Sequence, residues 1–202
     1  MAQHFSDIND IKVAAMLNGG AVGVILTDTV YGLVAKAGSL QGIQKLYSIK
    51  HRESAPGTLI GSSVDAFQKL GFASKQLARV ARYWPASLSV VLDASDVPDY
   101  LKQVRTSLPV RIPPKQPLLE LLKQTGALMT TSANRHGSPT VRSIAEAESC
   151  FGDEVGFYVD GGEVMEHKSS TIIGFDDMDQ MIVFRTGAYP IEELELSTSV
   201  PN

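Results

Sequence analysis

Ile25-Leu26-Thr27-Asp28-Thr29-Val30-Tyr31-Gly32-Leu33-Val34 sets an apolar run directly against hydroxyls, a carboxylate and a glycine. Val22, Val24, Ile25 and Leu26 read as a short buried strand, and Thr27-Asp28-Thr29 follows where such a strand leaves the core. Ligands of open α/β sheets gather outside the carboxyl ends of strands, so this polar exit is a candidate binding site. The same residues support a second reading, in which Asp28 and the threonines close a side-chain-to-backbone turn and Gly32 relieves local strain. On this stretch alone both readings stand.

Working outward, helix and strand signals alternate almost to the end. Ser6 can cap a helix with Ile8, Ile11, Ala15 and Met16 on its apolar face, stopped by Gly19-Gly20. Ser39 opens a second helix with Leu40, Ile43, Leu46 and Tyr47 inward, delivering Lys50 and Arg52 at its carboxyl end, where cations suit the helix dipole. A strand at residues 58–60 and a helix from Ser74 to Trp84 follow. The second half predicts strands at 88–92, 110–112, 128–130, 157–159, 171–173 and 181–184, with helices at 118–123 and 143–150. Asp176-Asp177-Met178-Asp179 reads as a solvated turn joining the last two strands. Continuous interleaving indicates a single α/β domain over residues 1–190, a twisted mixed β-sheet flanked by helices, because the closing strands lack long crossovers. Residues 191–202, rich in acid, serine and proline, read as a loosely held tail.

Composition narrows the chemistry. The chain has 202 residues, 44% hydrophobic content and a formal charge of -4, which argues against a general nucleic-acid-coating surface. No apolar run is long enough to span a bilayer, and the first residues lack the pattern of a signal peptide, so a cytoplasmic location is expected. Cys150 is the only cysteine, which excludes an internal disulfide. There is no Walker loop, no dinucleotide glycine fingerprint, and no histidine pattern suited to zinc or to a serine nucleophile. What remains is hydroxyls and cations near strand ends: Lys50-His51-Arg52, Ser107 with Arg111, Ser132-Ala133-Asn134, Ser170-Thr171 and Arg185. Each has a plain structural reading as a turn, a helix end or a surface charge. Arg111 is harder to dismiss, because it interrupts Val110 and Ile112, and a buried guanidinium must face a carboxylate, a phosphate or solvent. Such a set suits reactions driven by positioning and charge neutralisation, of which phosphoryl-centre transfer is the leading example.

Taken in order, these segments resemble the YrdC-like family of threonylcarbamoyl-AMP synthases, in its short, single-domain bacterial form. The resemblance is carried by Thr27-Asp28-Thr29-Val30-Tyr31-Gly32-Leu33, Lys50-x-Arg52, Trp84-Pro85 with Leu88, Val110-Arg111-Ile112-Pro113, Thr131-Ser132-Ala133-Asn134, Asp160-Gly161-Gly162, Ser170-Thr171 and Arg185-x-Gly187. It implies a sheet with a concave basic groove that condenses ATP, L-threonine and bicarbonate into threonylcarbamoyl-AMP and pyrophosphate. It further implies magnesium (Mg2+) accompanying ATP with no dedicated protein metal site, handover to a tRNA-modifying threonylcarbamoyl transferase, and no membrane partner. By motif, Thr29, Arg111, Ser132 and Ser170 correspond to a threonine-binding set, and Arg52, Ser107, Asn134, Arg142 and Arg185 to an ATP-binding set. Lys50 and Arg52 are the expected catalytic cations. The chain departs from the family pattern at Leu26, Glu53, Pro56, Ala86-Ser87, Pro114-Lys115-Gln116 and Arg135-His136. Two other functions are compatible with the resemblance: a module that binds RNA weakly or sits on the ribosome, and a paralogue acting on another carbamoyl acceptor.

Overall fold

The computed structural model describes residues 1–50, 56–135, 137–165 and 168–198, with side chains described to residue 194. In chain order the elements are β1 Gln3–Phe5, α1 Ile11–Asn18, β2 Gly23–Leu26, β3 Tyr31–Lys36, α2 Leu40–Lys50, β4 Thr58–Ile60, α3 Val64–Gln68, α4 Ser74–Val80, β5 Leu88–Asp93, α5 Asp99–Lys102, β6 Ser107–Arg111, α6 Gln116–Thr125, β7 Leu128–Ser132, α7 Ile144–Phe151, β8 Phe157–Val159, β9 Thr171–Phe175, β10 Met181–Arg185 and α8 Ile191–Thr198. The strands form one sheet in the order β1-β8-β2-β3-β7-β4-β6-β5-β9-β10. Pairing is mixed: β8 runs parallel to both β1 and β2, β4 to β6 and β5 to β9, while β2–β3, β3–β7, β4–β7, β5–β6 and β9–β10 are antiparallel. The expected α/β domain with a mixed sheet and flanking helices is therefore present.

Alternation along the strands divides the burial between two faces. Val24, Leu33, Leu59, Val90, Val110 and Met129 point to one face, where Ile43 and Leu46 of α2, Phe67 of α3, Leu77 and Val80 of α4, Leu101 of α5 and Phe151 of α7 complete the larger core. Ile25, Val34, Ile60, Leu128, Phe157 and Val159 point to the other, under Val13, Ala14 and Leu17 of α1 and Leu118, Leu121 and Leu122 of α6. Those two helices cover only part of that face. On β5 and β6 the same side carries Ser89, Pro109 and Arg111, and the uncovered region is the groove described below.

Three expectations change. The first helix is capped by Asp10, whose carboxylate accepts from the Lys12 N–H at 2.8 Å, not by Ser6, because residues 3–5 pair with β8 instead of leading into a helix. Its buried face is Val13, Ala14 and Leu17, whereas Ile11 is 79% exposed. The segment from Tyr31, to which the sequence reading gives no element, is a full strand antiparallel to β2 with Leu26 opposite Tyr31. The C-terminal stretch forms a helix to Thr198 with Leu194 fully buried, so at least that side chain is docked and not loosely held.

Candidate active site

Thr27–Val30 is the turn between β2 and β3, and the turn reading holds for Thr27. The Thr27 hydroxyl donates to the Val30 carbonyl at 2.7 Å and accepts from the Thr29 and Val30 N–H groups, so Thr27 is the turn-closing residue. Asp28 is not used in the turn. Its Oδ1 accepts from Arg111 Nη2 at 2.9 Å and its Oδ2 from the Ser87 hydroxyl at 2.8 Å, with the Arg111 and Asp28 side chains 3% and 1% exposed. Gly32 is required by close approach: a Cβ there would lie 2.6 Å from Thr130 Oγ1 and 3.2 Å from the Thr131 carbonyl.

Of the carboxylate, phosphate or solvent expected to face Arg111, the structure supplies a carboxylate. Its Nη1 donates to Ser89 Oγ at 3.1 Å, and Ser89 Oγ lies 3.0 Å from Ser170 Oγ. Ser89 and Ser170 are both buried, the former fully. Arg185, at the end of β10, donates from Nε and Nη2 to the Ser170 carbonyl at 3.0 and 2.9 Å and from Nη2 to its hydroxyl at 3.2 Å. Burial of this guanidinium, and then the like charge of Arg111, lower its pKa from the ordinary arginine value. Gly187 lets the chain fold back over Ser169 and Ser170, because a Cβ there would come within 2.1 Å of the Ser169 carbonyl.

On the opposite wall, Lys50 closes α2 at 1% exposure. Its ammonium donates to the carbonyls of Ser132 and Asn134 at 2.9 and 2.6 Å and to Asn134 Oδ1 at 2.6 Å. Ser132 Oγ also donates to Asn134 Oδ1, at 2.7 Å, and Asn134 Nδ2 donates to the Ser138 carbonyl at 2.5 Å. Lys50 therefore secures the end of β7 and the turn that follows, directing its donors into protein oxygens. Lys115, at the amino end of α6, donates to the Thr27 carbonyl at 3.3 Å; loss of hydration lowers its pKa, an effect that the nearby Asp28 carboxylate opposes.

One pocket collects Thr29, Arg111, Ser132, Ser170 and Arg185, together with Thr58 and Thr130, and its described lining contains no carboxylate. The four residues of the threonine set and Arg185 of the ATP set thus come from separate segments: the β2–β3 turn, β6, β7, the approach to β9, and β10. Ser107 lies further along the same face of β6, two alternations from Arg111, and is not part of this lining. Asn134 and Lys50 stand behind Ser132. Arg142 is exposed at the start of α7, where its N–H donates to Glu146 Oε2 at 2.7 Å, and it does not join the pocket. Arg52 lies outside the described residues, as does Glu53. Sequence reasoning missed Asp28 as a charge partner and also missed Ser89; the signal for Ser89 was a hydroxyl inside Leu88-Ser89-Val90-Val91-Leu92. Among the described residues, no cluster of three or more His, Cys, Asp and Glu is placed to hold a metal ion, and no helix is long and apolar enough to cross a membrane.

A family model described as "Telomere recombination", named for Sua5, YciO and YrdC, matches residues 15–187. The threonylcarbamoyl-AMP synthase of Pseudoalteromonas translucida is 30% identical over 163 residues, covering 77% of this chain and 87% of the relative. That of Pyrococcus abyssi is 28% identical and is matched over 92% of this chain, which spans 56% of the longer relative. Among solved structures, P. abyssi Sua5 complexed with L-threonine superposes with a TM-score of 0.84 at 23% identity over 98% of this chain and 61% of that one. Escherichia coli YciO superposes at 0.80 and 22% identity, covering 95% and 98%. At these identities the two superpositions establish the fold.

Proposed function

The chain belongs to the Sua5, YciO and YrdC family, and from that membership we propose that it is an L-threonylcarbamoyladenylate synthase, a nucleotidyltransferase joining ATP, L-threonine and bicarbonate with release of pyrophosphate. The observation that carries the proposal is the convergence of Thr29, Arg111, Ser132, Ser170 and Arg185 on one pocket whose described lining has no carboxylate. Threonylcarbamoyl-AMP synthases among its relatives, and a Sua5 structure complexed with L-threonine, support the same reading.

The chemistry follows from charge. The threonine amine captures bicarbonate-derived carbon dioxide to give a carbamate, losing a proton. A carbamate oxygen then attacks the α-phosphorus of ATP, and the bond to pyrophosphate breaks. The amino acid, the carbamate and the triphosphate are all anionic, so the site must lower their mutual repulsion while aligning them. Arg111 and Arg185 supply fixed positive charge, and the hydroxyls of Thr29, Ser132 and Ser170 supply donors that need no covalent intermediate. Arg52, Ser107, Asn134 and Arg142 are assigned to the nucleotide by motif alone. Magnesium is expected to enter with the triphosphate, held by phosphate oxygens and water. The adenylate would pass to a threonylcarbamoyl transferase acting on tRNA, from a cytoplasmic location.

The test is pyrophosphate release measured against each substrate in turn. Joint dependence on ATP, L-threonine and bicarbonate is expected, with Arg52→Ala and Arg111→Ala nearly inactive. Release indifferent to threonine would overturn the reading, and a preference for serine or another amino acid would identify a different carbamoyl acceptor.

A further inference from the structure

Ser87 and Lys115, two departures from the family pattern on separate elements, meet at one turn. Ser87, in the loop before β5, donates its hydroxyl to Asp28 Oδ2, and Lys115 donates to the carbonyl of the preceding residue, Thr27. Asp28 in turn holds Arg111 Nη2, while Ser89 holds Nη1 and contacts Ser170. Arg111 Nε is buried without a hydrogen-bond partner, so among the described residues the plane of this guanidinium is fixed only by Asp28 and Ser89. Asp28 does not line the pocket, yet it bonds directly to Arg111 and sits beside Thr29 in the same turn. Through Arg111 it also reaches Ser89 and Ser170. A carboxylate with only two oxygens, each given one donor, loses its orientation when either donor is removed.

We infer that Asp28 is the positioning residue of the amino-acid subsite, and that Ser87 and Lys115 are its supports. The inference deepens the synthase reading and rests on it for the identity of the substrate. Ser87 keeps Oδ2 engaged so that Oδ1 stays on Arg111, and Lys115 anchors the backbone one residue earlier. Together they set how Arg111 and Thr29 meet the amino acid, without touching it themselves.

Steady-state kinetics on the full chain separate this role from a general structural one. Ser87→Ala is expected to raise the threonine KM about tenfold, the scale of one hydrogen bond to a charged group, while the ATP KM changes less than about twofold. Ser87→Thr restores the hydroxyl and should recover the native threonine KM. In an Asp28→Asn background, Ser87→Ala should add nothing, because its effect runs through the carboxylate. An equal rise in both KM values, or full additivity of the two substitutions, would overturn the inference. Independently of turnover, the side-chain NMR signal of Arg111 should shift in Ser87→Ala and return to its native position in Ser87→Thr. An unmoved signal would defeat the positioning role even in an active enzyme, whereas a shifted signal in a protein with no threonine-dependent turnover would leave the positioning role standing and defeat only the synthase reading.

Discussion

The same face of the sheet behaves in opposite ways at its two ends. On β3, β4 and β7 the residues Val34, Ile60 and Leu128 are fully buried beneath α1 and α6, while Gly32, Thr58, Thr130 and Ser132, one or two alternations along the same strands, line the pocket. The helix-covered end is closed by apolar contact supplied by the chain itself. The groove end is closed by hydrogen bonds: Thr27, Lys50, Arg111 and Ser170 are all buried, and each has its polar partners nearby. A half-finished apolar face would collapse or associate, whereas a polar face satisfied from beneath stays open to water. Substitutions at the two ends should therefore separate stability from activity, except where the groove depends on its own buried charges.

The largest effect is expected at that exception. Arg111→Ala leaves Asp28 buried with only the Ser87 hydroxyl, and removal of one partner of a buried ion pair costs about 3–5 kcal/mol. Urea denaturation should show that loss alongside near-complete loss of threonine-dependent pyrophosphate release. A protein within about 1 kcal/mol of the native stability would mean the groove does not need its internal pair. Leu128→Ala comes next. It opens a cavity under α6 and should cost about 2–5 kcal/mol while leaving both substrate KM values of the folded protein in place. Lost activity without lost stability there would erase the distinction between the two ends.

Lys50→Met tests a residue on the border. It withdraws donors from Ser132 and Asn134; Asn134 Oδ1 keeps the Ser132 hydroxyl and the Ser132 carbonyl keeps the Asn134 N–H, and loss of the ammonium from the Asn134 carbonyl should cost about 1–3 kcal/mol. If Lys50 instead served the phosphates directly, the ATP KM would rise with stability unchanged. Denaturation and ATP kinetics on the same variant decide between the two.

Much of this was legible in the sequence, and the gaps have physical causes. Gly126 ends α6 and Ser143 caps α7, its hydroxyl oxygen accepting from the Glu146 N–H, as local signals required. β3 was hidden because Tyr31 to Ala35 are buried on both faces, so no period of two shows. α1 was misplaced because Ser6, Asp7 and Asp10 all offer caps, and only the pairing of residues 3–5 with β8 decides among them. Thr29, Arg111, Ser132 and Ser170 could be picked out through ordered motifs. Asp28 could not be matched to Arg111, because the pair is 83 residues apart and joins a turn to a strand that only the sheet brings together. The burial of Leu194 escaped notice for the converse reason: an acidic, serine-rich stretch gives little sign that one leucine docks.

The smallest predicted effect lies on the flank away from the groove and checks that the two regions are independent. Tyr158 on β8 is buried and donates to the Gly152 carbonyl at 2.7 Å; burial first, and then Glu148 and other acidic neighbours, push its pKa from 10.0 up to about 12. An unfolded tyrosine ionises near 10, so between the two values the folded state binds more protons, and stability falls as pH rises through that window. Below it the contribution is fully present. Denaturation midpoints measured from neutral pH upward should therefore decline once pH passes about 10, and Tyr158→Phe should flatten this tyrosine's share of the decline while losing about 1 kcal/mol at neutral pH. Substrates should lift the whole curve by mass action without changing its alkaline slope, because β2 separates β8 from β3, the nearest strand that lines the pocket. A slope that flattened on adding ATP and threonine would show that closing the groove reaches across the sheet to β8, and the two ends would then have to be treated as one cooperative unit.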